Sequence, residues 1–372
     1  MDKIRFGVIG AAGVIGKSHV EAVSSAGNAL LTAVTDVARE AALKIAEEKK
    51  VRFFESYAEM IESDDLDAIT ICTPHPLHCE IAIGAMKARK HVLTEKPMAV
   101  SVSEADRMNK VARETGFKVG VVFQRRYEPA SLKAKELIEG GEIGEIYRTG
   151  IINTAFKTQY YFNSGAWRGT WKGEGGGVLL NQAPHSIDLF QWLVGMPRKV
   201  VAWVRTTKHQ IEVEDIATAI VEYENGAHGY MHFNTVQTPN QNRIEIFGEK
   251  AMLVIEDGSV KLEKLEMPLQ RFIDTDTSHI YAKPKSERVE VELGPPKPGH
   301  VQVVEDFADS ILSNRKPFVT GEEGIKSLEI ANAIILSSYR NKAVELPLNR
   351  RAYDRLLEDL RSGKIESRSK PG

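Results

Sequence analysis

The stretch Phe6-Gly7-Val8-Ile9-Gly10-Ala11-Ala12-Gly13-Val14-Ile15-Gly16 decides the fold. The apolar run Ile4–Ile9 reads as a buried strand, His19–Ser25 as a helix, and Gly10, Gly13 and Gly16 stand between them. Glycine there permits unusual φ and lets a pyrophosphate approach the backbone. The helix N-terminus, with unpaired N–H groups and the positive end of the dipole, favours such an anion. The Gly-x-x-Gly-x-x-Gly spacing is one residue longer in its first half than the usual Gly-x-Gly-x-x-Gly, and alone it is equally well a plain strand-to-helix turn. The second strand, Leu30–Thr35, ends at Asp36, where an acidic residue meets an adenosine ribose. Its competing role is a helix N-cap ahead of Arg39. Together these features point to a dinucleotide site contacting Gly10, Ala12, Gly13, Val14, Ile15, Gly16 and Asp36. A carboxylate accepts from a ribose 2′-OH and repels a 2′-phosphate, so NAD is expected over NADP, with Arg39 keeping NADP as the minor alternative.

Working outward, apolar runs at Arg52–Phe54, Ala68–Cys72, His91–Thr94 and Lys118–Val122 alternate with helical stretches at Arg39–Lys49, His78–Lys87 and Ser103–Thr115. That alternation predicts an α/β Rossmann domain, a doubly wound parallel sheet, over residues 1–123. Beyond Gly144 the β-rich runs Gly150–Ala155, Val200–Thr206, Ile216–Tyr223, Gly229–Asn234, Arg243–Phe247 and Met252–Glu256 are joined by turns such as Glu224-Asn225-Gly226. They predict an α+β domain over 124–348 with a large, mostly antiparallel open sheet. The helix Pro184–Val194 interrupts it, and the helices Val301–Ser313 and Glu322–Ser338 are expected to pack back on the first domain. Glu266–Pro298 reads as a surface excursion and the Arg- and Ser-rich segment 349–372 as a fraying tail. An open sheet face needs cover, so a homo-oligomer, dimer or tetramer, is expected through it.

The net charge of −2 over 372 residues offers no broad basic surface, which disfavours a nucleic-acid or anionic-membrane partner. No apolar run approaches the ~18 residues of a spanning helix and no signal-peptide pattern opens the chain, so a cytoplasmic protein is expected. Cys72 and Cys79 are too few for a disulfide framework and are expected to be reduced. The set Cys72, His75, His78 and Cys79 has superficial zinc spacing, but a buried strand and a helix start divide it, and no metal is expected.

The fourth strand runs into Thr73-Pro74-His75-Pro76-Leu77-His78 and the fifth into Glu95-Lys96-Pro97. With these go Gln124-Arg125-Arg126-Tyr127, Gly175-Gly176-Gly177 leading to His185-x-x-Asp188, Val213-Glu214-Asp215, Asn225-Gly226 and Glu305-Asp306-Phe307. On these motifs, from about residue 4 to Leu348, the chain resembles the Gfo/Idh/MocA family of NAD(P)-dependent oxidoreductases. The resemblance implies that Lys96 faces the nicotinamide and the reacting oxygen. It also places Thr73, Pro74, His75, His78, Glu95 and Gln124 at the cofactor.

Elementary chemistry agrees with that role for Lys96, since an ammonium at a strand's C-terminal lip stabilises charge developing on oxygen. The plainer reading, a surface Lys paired with Glu95, is weakened by Pro97, which imposes an unusual backbone and is a candidate cis bond. His185 follows Pro184, a residue tolerated only in a helix's first turn, so it lies near the positive end of a dipole that keeps the imidazole neutral and available as a base. Where the family usually carries Asp-x-x-x-His, this chain has Asn181-Gln182-Ala183-Pro184-His185. Asn181 can hold a hydroxyl but supplies no carboxylate. Trp167-Arg168 is expected to touch cofactor or substrate, while the nearby tyrosines suit a sugar pocket or simple sheet cover. The expected activity is NAD-dependent oxidation of a secondary hydroxyl of a sugar, a glycoside or anhydro-sugar (at C3 by preference), or a cyclitol. Alternatives are an NADPH-linked reductase of a keto-sugar or diol, and a non-catalytic NAD(P)-binding regulator.

Overall fold

A computed structural model describes residues 2–275 and 279–366. Its first sheet contains β1 (Ile4–Ile9), β2 (Ala29–Thr35), β3 (Arg52–Phe53), β4 (Ala68–Ile71), β5 (His91–Thr94) and β6 (Val119–Val121). All pairings are parallel and the spatial order is 3-2-1-4-5-6. Helices cover both faces, which is why β4 is buried along its whole length and these strands read as continuous apolar runs. The order reverses between β1 and β4, opening a crevice at the C-terminal ends of the strands. Gly10, Thr73 and Lys96, which follow β1, β4 and β5, all lie at that edge.

The second sheet is built from β7 (Ile146–Thr154), β8 (Lys199–Arg205), β9 (Ile216–Glu222), β10 (His228–Asn234), β11 (Asn242–Gly248), β12 (Ala251–Glu256), β13 (Ser259–Leu265), β14 (Ser286–Val289) and β15 (Val344–Glu345). Its order is 14-13-12-11-7-10-9-8-15, antiparallel except where β7 lies parallel to β10. The helix Gly321–Arg340 spans both sheets, packing on β6 and on β8. Its Ser337 and Ser338 hydroxyls accept from the N–H groups of Ala202 and Val204 at 3.0 and 2.9 Å. The helix Gly299–Leu312 lies against the first helix, Val14–Ser25. The sheet's other face is open, with Trp203 53% and Ile220 48% exposed.

Two expectations are corrected. Residues 349–366 are no fraying tail, because Arg350–Arg361 is a helix that buries Tyr353, Leu356, Leu357 and Leu360. That i, i+3, i+4, i+7 stripe is a core-facing pattern, hidden from a reading by composition because Arg and Ser surround it. Asn349 caps the helix, accepting from Ala352 N at 3.0 Å, and Arg350 pairs with Glu329 and Asp106. Residues 367–372 lie outside the described residues. The Glu266–Pro298 excursion is mostly exposed but contributes β14 to the sheet edge.

Candidate active site

The glycine turn is set by sterics. Gly10 has φ +83°, and a Cβ on it would meet the Cys72 carbonyl oxygen at 2.7 Å, while one on Gly16 would meet the Gly10 oxygen at 1.9 Å. Gly13, by contrast, has only the Gly10 oxygen nearby, at 3.6 Å, so nothing within the protein crowds it and the room above it is what a pyrophosphate needs. It is the N-cap of Val14–Ser25 and leaves the first N–H groups without a side-chain acceptor. The Asp36 carboxylate is engaged by backbone N–H groups, and the N-cap position of Arg39–Lys49 is Ala38 rather than Asp36. One carboxylate oxygen accepts from Ala12 N at 2.9 Å, holding the glycine turn, and the other from Ala38 N at 2.8 Å, at the start of Arg39–Lys49. Arg39 is committed to Glu55 at 2.7 Å, which weakens the NADP reading.

At the lips of β4 and β5, His78 stitches two loops together, its ring nitrogens lying 2.9 Å from the Pro97 carbonyl and 2.8 Å from that of Thr73. Cys79 is turned to the Glu104 carbonyl, so the Cys72-to-Cys79 set does not converge. Burial, reinforced by His78 and Lys96, pushes His75 down to about 3, and its Nδ1 lies 3.0 Å from the Glu174 carbonyl. Glu95 makes a buried bond to His19 Nε2 at 2.7 Å, and Lys96 N donates to it at 3.1 Å. Burial opposes both charges, but the partners prevail. Glu95 is held down at about 2, and Cys72 and Glu95 push His19 up to about 10. His300 Nε2 stands 4.0 Å from Glu95. Within this cluster, the direct His19–Glu95 bond makes an ion pair rather than an open cation cage.

The Lys96–Pro97 bond is cis. Lys96 Nζ donates to the Asn181 carbonyl at 2.9 Å, which draws the β5 lip against the short helix Val178–Asn181 and the following helix Pro184–Val194. His185 is the second residue of that helix, as its position after Pro184 predicts. Burial, then Lys96 and Arg125, depress its proton affinity well below the usual histidine value. The Asn181 side chain is engaged by Glu174, a fully buried carboxylate. Arg168 lies between the rings of Tyr161 and Trp167, 4.4 Å from each centroid, and Trp167 packs edge-on to His75 at 5.6 Å. Trp167, His75, Glu174, Asn181 and Lys96 are thus linked by contacts into one chain, while Tyr160 is 82% exposed and Trp171 is core.

Buried polar atoms are nearly always paired. Several of those left without a partner here belong to crevice residues: Thr73 Oγ1, Gln124 Oε1, Gln182 Oε1, His185 Nδ1 and His300 Nε2. A dinucleotide and a polyhydroxylated substrate would supply such partners, and the residues present fit both. Sequence reasoning missed Glu174, His19, Gln182 and His300. The signal for Glu174 was its place before the Gly175 run, and Gln182 lay inside the Asn181-to-His185 string; His19 and His300 had none. Asp188 belongs to the core, bonded bidentately to Arg126, and Glu214 holds the Gly177 and Leu179 N–H groups. Among the described residues no helix is long and apolar enough to cross a membrane.

Residues 4–123 match the model of an oxidoreductase family with an NAD-binding Rossmann fold, and residues 131–254 match the GFO/IDH/MocA C-terminal domain. The chain is 25% identical to the myo-inositol 2-dehydrogenase of Thermotoga maritima over 364 residues, covering 92% of this chain and 98% of that protein. It is 30% identical to the WlbA dehydrogenase of Bordetella pertussis, solved with NADH and UDP-GlcNAcA, with a TM-score of 0.80 over 93% of this chain and all of that one. Levoglucosan dehydrogenase, solved with NADH and levoglucosan, shares the fold at 23% identity and a TM-score of 0.80, over 93% of this chain and 100% of that one.

Proposed function

We propose, from the premise that this chain belongs to the GFO/IDH/MocA oxidoreductases, that it oxidises a secondary ring hydroxyl of a sugar, anhydro-sugar or cyclitol. As a member it is an NAD-binding oxidoreductase acting on CH–OH groups. Bound NAD supplies the hydride acceptor. Lys96 donates to the substrate oxygen and stabilises its developing charge, His185 takes the hydroxyl proton, and Asn181 holds a neighbouring hydroxyl. Trp167 and Arg168 line the same pocket, and Glu95 and Gln124 reach the cofactor. The observation that carries this reading is the Lys96 Nζ–Asn181 contact at 2.9 Å, which brings a cation at the cofactor edge against the segment bearing His185 and its unpaired Nδ1. Residues 1–123 bind the dinucleotide, 124–348 bind substrate and assemble a cytoplasmic homo-oligomer through the open sheet.

Within the substrate class we favour oxidation at C3 of a pyranoside or anhydro-sugar. A second reading, a sugar carried on a nucleoside diphosphate, is favoured by the 30% identity to a protein solved with UDP-GlcNAcA. The test is NADH formation across glucose, glucosides, 1,6-anhydroglucose, myo- and scyllo-inositol, a UDP-linked hexuronate, the matching deoxy analogues and simple 2-hydroxy acids. NMR of the product locates the ketone. Ring polyols are expected to turn over and deoxy analogues to fail, each missing hydroxyl leaving a buried group unpaired at ~1–3 kcal/mol. If a 2-hydroxy acid outruns every polyol, the reading is wrong.

A further inference from the structure

Asn181 stands where the family usually places Asp, so the carboxylate expected beside Lys96 is missing from that position. Another carboxylate has come in from a different segment. Glu174, fully buried, accepts from Asn181 Nδ2 with one oxygen and from Gly169 N at 2.7 Å with the other. Its own carbonyl faces His75 Nδ1 at 3.0 Å, so one residue joins the cofactor loop, the Trp167-Arg168 segment and the substrate amide. The backbone next to Glu174 is tightly set, because Gly175 has φ +80° and a Cβ on it would lie 2.7 Å from Val100 Cγ1.

We propose that Glu174 is a positioning residue for the reaction: its carboxylate holds the Asn181 amide with Oδ1 turned to the substrate hydroxyl, and places beside Lys96 the negative charge Asn181 lacks. The proposal rests on the hydroxyl-oxidising reading above. An amide has one acceptor and two donors, so a carboxylate that claims Nδ2 leaves Oδ1 to accept from a hydroxyl, the role an Asp would play there. Once protonated, Glu174 can donate to Oδ1 instead, which turns the amide about and removes the charge near Lys96. Burial raises Glu174 to about 7, so this switch falls near neutrality. The charged and titratable groups facing it are Arg168 and Lys96, which favour its ionised form, Glu214, which disfavours it, and the Tyr161 hydroxyl; the adjoining His75 ring stays neutral. His185 is held well below 6.5, so an acidic limb near 7 does not belong to the base; burial raises Glu214 to about 7 as well, and substitution of Glu174 separates the two carboxyls.

Glu174→Gln keeps the size and the Gly169 bond but presents an N–H to Asn181. The expected result is an unchanged melting temperature, a fall in kcat/KM of roughly 10-fold or more at pH 8, the order set by one misplaced buried hydrogen bond, and loss of the acidic limb near 7. The double variant E174Q/N181D restores a carboxylate–amide pair with the partners exchanged and should recover part of the rate. Titration of ¹³C-labelled glutamate carboxyls without substrate should show a resonance near 7 that E174Q deletes, with that of Glu214 remaining. The proposal is overturned if E174Q keeps the limb or stays within twofold of wild type, or if no deleted resonance titrates near 7. A wild-type protein that oxidises no polyol would sink the functional reading, while the carboxyl titration judges Glu174 separately.

Discussion

Burial lowers the proton affinity of both Lys96 and His185, but their surroundings differ. Glu95 and Glu174 favour the ammonium of Lys96, whereas Lys96 and Arg125 disfavour an imidazolium at His185. Its neighbours thus favour charge on Lys96 and disfavour it on His185, the pairing that suits oxidation of an alcohol. Lys96→Ala and His185→Ala should each reduce kcat by ~10²–10⁴-fold while NAD affinity, followed by fluorescence titration, changes little. A loss of only a few-fold in His185→Ala would assign the proton elsewhere. Asp36 gives a second residue-scale expectation. Because its carboxylate holds the glycine turn at the end of β2, the place proposed for the ribose, Asp36→Ala should lower the NAD to NADP ratio of kcat/KM; a ratio that does not move would leave Asp36 as a structural hinge between Ala12 and Ala38.

At the scale of elements, the first helix and the β5 lip are joined by the His19–Glu95 pair, with side chains 1% and 6% exposed. Because Glu95 is depressed to about 2, its contribution to stability is present above 4.5 and is lost as pH falls from there toward 2. His19 is raised to about 10, so its contribution is present below 6.5 and is lost as pH rises through 10. Glu95→Gln should therefore destabilise at neutral pH, by ~3–5 kcal/mol for a broken buried pair, and should flatten the acid side of the urea-derived stability profile. An unchanged acid profile would show that other carboxylates govern it. The helix Arg350–Arg361 makes the opposite point about pairing: it buries three leucines and the ring of Tyr353, and none of these four residues forms an ion pair.

For the whole molecule, the open face of the second sheet is the feature left uncovered. Trp203 and Ile220 lie there on neighbouring strands, with Ala202 and Val221, one residue along each strand, facing the core. Exposed apolar residues of this size side by side fit burial against a second copy. Trp203→Glu combined with Ile220→Glu should lower the mass measured by light scattering to that of a monomer, 41.3 kDa, without loss of the folded circular-dichroism signal. If the wild type is already monomeric, the assembly proposal fails.

What is local was legible in the sequence. Strand and helix periods, the glycine run before a helix, Asp36 at the end of β2 and Pro184 ahead of His185 are each read within a few residues, and the parallel first sheet follows from their alternation. The tertiary structure alone decided what meets across the chain. Lys96 and Asn181 are 85 positions apart, His75 and Glu174 are 99, and His19 and Glu95 are 76. No spacing rule links such pairs, because they are brought together by the topology of two sheets packed through shared helices. Composition also misled at the C-terminus, where four core residues are spaced among charges and only their packing tells a buried helix from a frayed tail. Which carboxylate meets the Asn181 amide was decided in the same way, by Glu174 folding in from a loop outside the Asn181-to-His185 motif.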